Sequence, residues 1–144
     1  MRQAIYYLYI YMWHYIPIYV GITNDIIRRN QEHKNDKWYS KCDRIYFAKI
    51  GNKNDALLYE GYLIAKFKTE YNIKPSNRWE TYVGNIEYEL KHGYRWFKID
   101  LSEIEDIKTT EDFYAYLISV IKRGSYFYSD ELSYMYGVTD LIRL

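Results

Sequence analysis

Three side chains with useful chemistry lie at fixed offsets within residues 19–33, whose sequence is YVGITNDIIRRNQEH. Tyr19 and Gly21 end an apolar segment, and Arg29 and His33 lie four residues apart in the segment that follows. Residues four apart project from the same face of an α-helix. A phenol, a guanidinium and an imidazole that meet beside a strand end could together bind and activate a phosphate group. The spacing therefore predicts a phosphate-handling site.

Glu60 is the second candidate, because it lies in the middle of an apolar helical stripe. The stripe consists of the residues three and four positions before and after it, Ala56, Leu57, Leu63 and Ile64. A carboxylate on the packed side of a helix is costly unless it is paired or bound to a metal. Two interpretations are equally supported: a buried salt bridge to Arg29, or a ligand for one hard divalent cation such as Mg²⁺.

The segment before these residues has the pattern of a β-hairpin. Residues 5–12 and 16–22 are β-branched and aromatic runs joined by a short link. If Tyr9 pairs with Tyr19, alternation places both on one face, together with Tyr7 and Tyr11, and leaves a gap at Gly21. The opposite, apolar face then holds Leu8, Ile10, Met12, Ile18, Val20 and Ile22. Pro17 lacks an N–H, which places it at a strand start or on an edge strand.

The rest of the first half alternates helix and strand signals. Thr23 and Asn24 are N-cap residues for a helix over about 25–34, and residues 44–50 form a third strand closed by Gly51 and Asn52. A second helix is expected over about 54–70. The order ββαβα predicts an α+β fold with a small, mainly antiparallel three-stranded sheet flanked by helices.

Weaker signals follow in the second half. Residues 94–101 suggest a strand, Thr110 an N-cap for a helix through about Lys122, and residues 129–144 a further short helix. We therefore expect a core domain over residues 1–78 and a C-terminal α/β extension over 79–144, packed on the core and of unknown role. The extension is a candidate surface for a protein partner, and the sequence predicts no oligomeric state.

Composition fits one small domain of 144 residues. An apolar run of membrane-spanning length and a cleavable leader are both missing, so we expect an intracellular, cytoplasmic protein without a membrane partner. The single cysteine, Cys42, excludes an intramolecular disulfide and a cysteine-based zinc cluster, and an ordinary half-buried thiol is the better interpretation. With twenty tyrosines in the chain, most must be packing residues.

The net charge of +1 hides an uneven distribution. Residues 28–53 hold eight Lys or Arg against three acids, a net charge of +5, whereas residues 86–144 hold seven against eleven, a net charge of −4. A local basic stripe can bind a phosphate backbone even in a nearly neutral chain. The candidate DNA-binding residues are Arg28, Lys34, Lys37 and Lys41. On charge alone, a solvated lysine-rich face is the more frequent explanation.

Taken in order, these residues resemble the GIY-YIG nuclease family. Tyr19-Val20-Gly21 looks like the second motif triplet, with Arg29 ten and His33 fourteen residues after the tyrosine. The first triplet would be Tyr7-Leu8-Tyr9, which lacks the glycine; Tyr9 is its candidate tyrosine, with Tyr7 and Tyr11 as alternatives.

The resemblance continues to about residue 78. Leu58–Ile64 resembles the glutamate helix of the family and contains Glu60. Phe67–Tyr71 resembles the turn that delivers an asparagine, with Thr69 in place of the usual proline. The asparagine would be Asn72, and Asn77 is the alternative.

The resemblance implies metal-dependent hydrolysis of DNA phosphodiesters by an enzyme that a phage or mobile element could encode. Tyr19, helped by Tyr9 or His33, would orient or deprotonate the attacking water, and Arg29 would stabilise charge on the phosphate. Glu60 would hold Mg²⁺ or Mn²⁺ against the leaving oxygen, and Asn72 would be a positioning residue. Two other functions stay open: a catalytically silent DNA-binding or inhibitory module with this fold, and a tyrosine-rich interaction protein.

Overall fold

The structure, a computed structural model, describes residues 5–72 and 80–124. Its centre is an antiparallel sheet of four strands in the spatial order β2-β1-β3-β4. The strands are β1 (Tyr7–Trp13), β2 (Ile16–Thr23), β3 (Arg44–Lys49) and β4 (Trp96–Asp100). The expected three-stranded sheet was wrong by one strand, because the predicted C-terminal strand pairs with β3. This pairing joins segments far apart in sequence, so no local turn signal could indicate it.

Five helices flank the sheet in the described residues: α1 (Ile26–His33), α2 (Lys53–Phe67), α3 (Ile86–His92), α4 (Leu101–Ile104) and α5 (Thr110–Arg123). A 3₁₀ turn covers Tyr39–Lys41. The side chain of Asp25, not the expected Thr23 or Asn24, caps α1 by accepting from the Arg28 N–H. Helices α1, α2 and α5 were predicted to within a few residues, whereas α3 and α4 were not. The helix expected over residues 129–144 lies outside the described residues.

Apolar side chains cover both faces of the sheet. On one face, α2 and α3 pack over a cluster that includes Leu8, Ile10 and Val20. On the other face, α1, α4 and α5 pack over a cluster that includes Tyr9, Tyr11 and Ile45. Because helices and apolar side chains cover both faces, the edges of the sheet are where polar side chains can contact solvent.

The hairpin register differs from the expected one by two residues. Tyr9 pairs with Gly21, and Tyr11 pairs with Tyr19. A two-residue turn sets Trp13 opposite Ile16, and a bulge then adds one residue to β2. The shift of two keeps the tyrosines on their predicted face. Ile18, however, is the bulge residue and packs with the tyrosine-side cluster, so its assignment to the apolar face was wrong.

Pro17 is the second residue of β2, which is an edge strand of the described sheet. This is one of the two placements that its missing N–H predicted. The outer side of β2 faces the segment after α2, where Asn72 lies. Local sequence and packing thus bring the end of α2 and this sheet edge together.

Candidate active site

Tyr9 and Gly21 form the base of the site. They are directly paired neighbours on β1 and β2, and the Tyr9 ring lies across the space that a side chain at Gly21 would fill. Tyr9 is 3% exposed. Its burial, and to a smaller extent Tyr19, raise its pKa well above the ordinary value for a phenol, while the nearby Arg29 lowers it. Because the Tyr9 ring fills the space beside Gly21, this position of the motif has no room for a side chain.

Arg29 joins the two motif tyrosines. Its Nε donates to the Tyr9 hydroxyl at 3.3 Å, and its Nη2 donates to the Tyr19 hydroxyl at 3.5 Å. Its Nη1 lies 3.4 Å from a carboxylate oxygen of Glu32. Since a guanidinium can only donate, both phenol oxygens act as acceptors toward it. The predicted convergence of phenol and guanidinium at this point is present in the structure.

His33 lies beneath the tyrosines with its ring fully enclosed. Its Nε2 is 2.8 Å from the Tyr9 hydroxyl, and its Nδ1 is 2.8 Å from Oδ2 of Asp36. Burial lowers the pKa of the imidazole, although the hydrogen bond to Asp36 opposes this. Burial thus favours the neutral form of the imidazole. Asp36 had not been predicted, but its position three residues after His33 is the spacing at which helical side chains meet.

Aromatic stacking fixes the second tyrosine. The rings of Tyr19 and Trp38 are stacked, with centroids 4.8 Å apart and planes at 9°. His33 contacts the edge of the same phenol, with centroids also 4.8 Å apart. Trp38 is buried, although the sequence suggested only a polar loop over residues 35–43. A large aromatic side chain within an otherwise polar loop could have indicated that Trp38 is buried and has a structural role.

Glu60 reaches the site from α2, at the outer edge of the sheet. Its carboxylate lies close enough to the Ile22 backbone, at the edge of β2, for that backbone to influence its pKa. Burial raises the pKa of the Glu60 carboxyl to about 7, although the Ile22 N–H and the positive charge of Arg29 both lower it. Among the described residues Arg29 pairs with Glu32 and not with Glu60, so the expected alternative of a buried Arg29–Glu60 salt bridge was wrong.

Asn72 also binds the outer edge of β2. Its Oδ1 accepts from the Val20 N–H at 2.9 Å, and its Nδ2 donates to the Val20 carbonyl at 2.6 Å. The Thr69 hydroxyl donates to the same Oδ1 at 2.6 Å. Thr69, in the place of the family's proline, thus orients the asparagine. The alternative residue, Asn77, lies outside the described residues.

As a half-buried carboxylate, Glu60 has the chemistry of one ligand for a hard cation. In the described part of the chain, no three His, Cys, Asp or Glu side chains cluster as a complete metal site. Mg²⁺ commonly takes one or two protein carboxylates and completes its shell with water and substrate phosphate. A half-buried carboxylate with a raised pKa gains from such a cation, because the cation compensates the cost of its buried charge.

The predicted DNA-binding residues lie on α1 and the segment after it, and all four are exposed. Arg28 contacts Asn24 and Glu32, and the Nζ of Lys41 lies 3.1 Å from the Tyr71 hydroxyl. Their role in binding DNA stays a prediction. Cys42 has its thiol pKa raised to about 12 by burial and the neighbouring Asp43, which favours an unreactive thiol.

Comparison with known families identifies the same part of the chain. Residues 6–72 match the family model described as the GIY-YIG catalytic domain. This part of the chain therefore belongs to the GIY-YIG family, a family of nucleases that act on DNA. No curated protein and no solved structure matches the chain significantly. Within the residues that the structure describes, every helix is too short or too polar to cross a membrane.

Proposed function

We propose that this protein is a metal-dependent endonuclease that hydrolyses phosphodiester bonds in DNA. The observation that carries the proposal is the contact of one guanidinium with two motif tyrosines, with Glu60 close enough for its charge to interact with Arg29. A cation, a proton-handling group and a candidate metal ligand are the three parts that hydrolysis of a phosphodiester requires.

Each residue then has a defined task. Arg29 binds a non-bridging phosphate oxygen and stabilises the charge that develops on it in the transition state. Tyr19, the more exposed phenol, orients the attacking water with Tyr9 behind it. Glu60 would hold Mg²⁺ or Mn²⁺, which when bound would supply electrostatic stabilisation of the leaving 3′ oxygen. Asn72 keeps the segment after α2 against β2.

A plasmid-nicking assay with the variant Glu60→Gln tests this function. The variant keeps the size of the side chain but removes its charge, so we expect nicking to fall by about a hundredfold or more. DNA affinity at fixed salt should change little, because a neutralised carboxylate adds no repulsion toward phosphate. EDTA should abolish nicking by the wild-type protein.

Glu105→Gln is the matched control, since it neutralises an exposed carboxylate in the turn after α4. It should nick DNA at the wild-type rate. Full activity in EDTA, or undiminished nicking by Glu60→Gln, would contradict the metal role. DNA binding by the wild type without any nicking would instead support the catalytically silent module.

A further inference from the structure

A continuous chain of four polar side chains runs from the motif arginine to the surface. Arg29 Nε contacts the Tyr9 hydroxyl at 3.3 Å, Tyr9 contacts His33 Nε2 at 2.8 Å, and His33 Nδ1 contacts Asp36 Oδ2 at 2.8 Å. Three members are buried or half-buried, whereas the Asp36 side chain is 45% exposed. Asp36 belongs to the turn after α1 and lies outside every family motif noted above.

For a neutral His33 beside an ionised Asp36, the chemistry of each member assigns a direction to every hydrogen bond in this chain. Asp36, when ionised, can only accept, so His33 must carry its proton on Nδ1. The bare Nε2 can then only accept, so it takes the hydroxyl proton of Tyr9. The lone pairs of the Tyr9 oxygen are thereby free for Arg29, which can only donate.

The other tautomer of His33 would reverse this order. With the proton on Nε2, the imidazole would donate to the Tyr9 oxygen, and the hydroxyl proton would have to turn toward another acceptor. The guanidinium would then face competition for the single phenol oxygen, and its contact with Tyr9 would weaken. On this reasoning, the strength of the contact between Arg29 and Tyr9 would depend on a proton two side chains away.

We propose that Asp36 is a positioning residue that holds His33 in its Nδ1–H tautomer and thereby keeps Arg29 in contact with Tyr9. For its effect on cleavage this inference rests on the proposed function, but the tautomer itself does not. Asp36 acts through His33 and Tyr9, as the aspartate of a catalytic triad acts through its histidine. It needs no contact with DNA.

The charged groups around His33 are consistent with this assignment. From α1, Arg29 and Glu32 act on the ring in opposite directions, and from the following turn Asp36 acts on Nδ1. The strands contribute the phenols of Tyr9, Tyr11 and Tyr19, whose rings lie around the imidazole. In the described residues, Asp36 is thus the acidic side chain in hydrogen-bond contact with the ring.

Nitrogen NMR of the histidine side chains tests the tautomer directly. The chain has three histidines, and His14 and His92 are exposed, so the buried His33 can be assigned with single substitutions. In the wild type at pH 7.5 we expect Nδ1 to show the chemical shift of a protonated nitrogen and Nε2 that of a bare one. In Asp36→Asn, whose amide can donate or accept, we expect a mixture of tautomers.

Single-turnover cleavage tests the consequence for catalysis. Asp36→Asn should lower the rate at saturating protein by about tenfold or more, without weakening DNA binding, since it removes a negative charge. Asp36→Glu should recover part of the rate and the wild-type tautomer. Asp106→Asn, which removes an exposed carboxylate elsewhere, is the control and should leave both readouts unchanged.

Two results would overturn the proposal. One is a His33 ring that carries its proton on Nε2 in the wild type. The other is an Asp36→Asn variant with an unchanged tautomer and an unchanged cleavage rate. If the wild-type protein cleaves no DNA, the proposed function fails, but the nitrogen spectra still decide whether Asp36 sets the tautomer.

Discussion

At the scale of single residues, Glu60 shows how a candidate metal ligand can oppose stability. The carboxyl lies half-buried between α2 and the edge of β2, and burial raises its pKa to about 7. In the unfolded chain it would ionise near pH 4.5, its ordinary value. Between these values the folded protein binds more protons than the unfolded chain, so its free energy of unfolding falls as pH rises.

This difference makes a prediction for Glu60→Gln, which cannot ionise. The variant should gain stability relative to the wild type as pH rises from about 4.5 to about 7, by up to about 3 kcal/mol, and the gain should be constant above that range. Urea unfolding at several pH values measures it. Glu105→Gln, which neutralises an exposed carboxylate, is the control. A Glu60→Gln gain that does not change with pH would mean that this carboxyl is not desolvated.

Spacing was sufficient to predict that Tyr19, Arg29 and His33 lie close together, because hairpin and helix periodicity place these side chains on facing surfaces. Their catalytic roles, and that of Glu60, stay predictions. Asp36 and Trp38 were missed for a physical reason. Both lie in the irregular segment between α1 and β3, where no regular element signals a role for either residue. Asp36 meets His33 at a local spacing of three residues, whereas the contact of Trp38 with Tyr19 follows from how that segment folds back over the tyrosines, which is a tertiary property.

At the scale of elements, the hairpin can place the Tyr9 ring beside β2 because Gly21 carries no side chain. Tyr9 lies over Gly21, and a methyl group there would overlap the phenol ring. The faces of the hairpin were predictable from alternation, but its register was not. The bulge at Ile18 leaves no clear mark on the sequence, and a shift of two residues preserves every apolar and polar assignment except that of the bulge residue itself.

Gly21→Ala should therefore displace the Tyr9 ring from His33 and Arg29. We expect the variant to fold, since the far end of a side chain can move, and to cleave DNA at least about tenfold more slowly. Gly84→Ala is a matched control, because a methyl group there would meet the Tyr82 ring in the same way but away from the site. Circular dichroism and single-turnover cleavage measure both effects. Equal cleavage by the two variants would contradict this role for Gly21.

At the scale of the whole molecule, the uneven charge distribution gives a direction for DNA binding. The exposed Lys34, Lys37 and Lys41 follow directly on the helix that carries Arg29 and His33. If they contact phosphates, their joint replacement by Ala should weaken binding across all sequences and reduce the salt slope by up to about three units. Fluorescence anisotropy at several salt concentrations measures the slope.

The control removes the same charge from the acidic part of the chain, by replacing Lys91, Lys108 and Lys122 with Ala. Its salt slope should stay close to that of the wild type. A salt slope that is unchanged in the first variant, or reduced equally in both, would show that the segment after α1 faces away from DNA.

The number and order of the strands in the sheet were the least predictable property at this scale. The strand at Trp96–Asp100 was expected, but its position beside β3 depends on which edge of the sheet stays open after the first three strands have paired. Trp96 and Ile99 are fully buried there, which the local pattern of alternating residues did not distinguish from a half-exposed strand.

The carboxamide of Asn72 has a consequence beyond the site. An unpaired sheet edge offers its backbone to any other extended chain and is a common starting point for aggregation. On the outer side of β2, Asn72 occupies both the N–H and the carbonyl of Val20, as a neighbouring strand would. The Glu60 carboxylate lies near the backbone of Ile22 on the same strand. Asn72 thereby leaves the backbone of Val20 with no free N–H or carbonyl to offer to a strand of another copy.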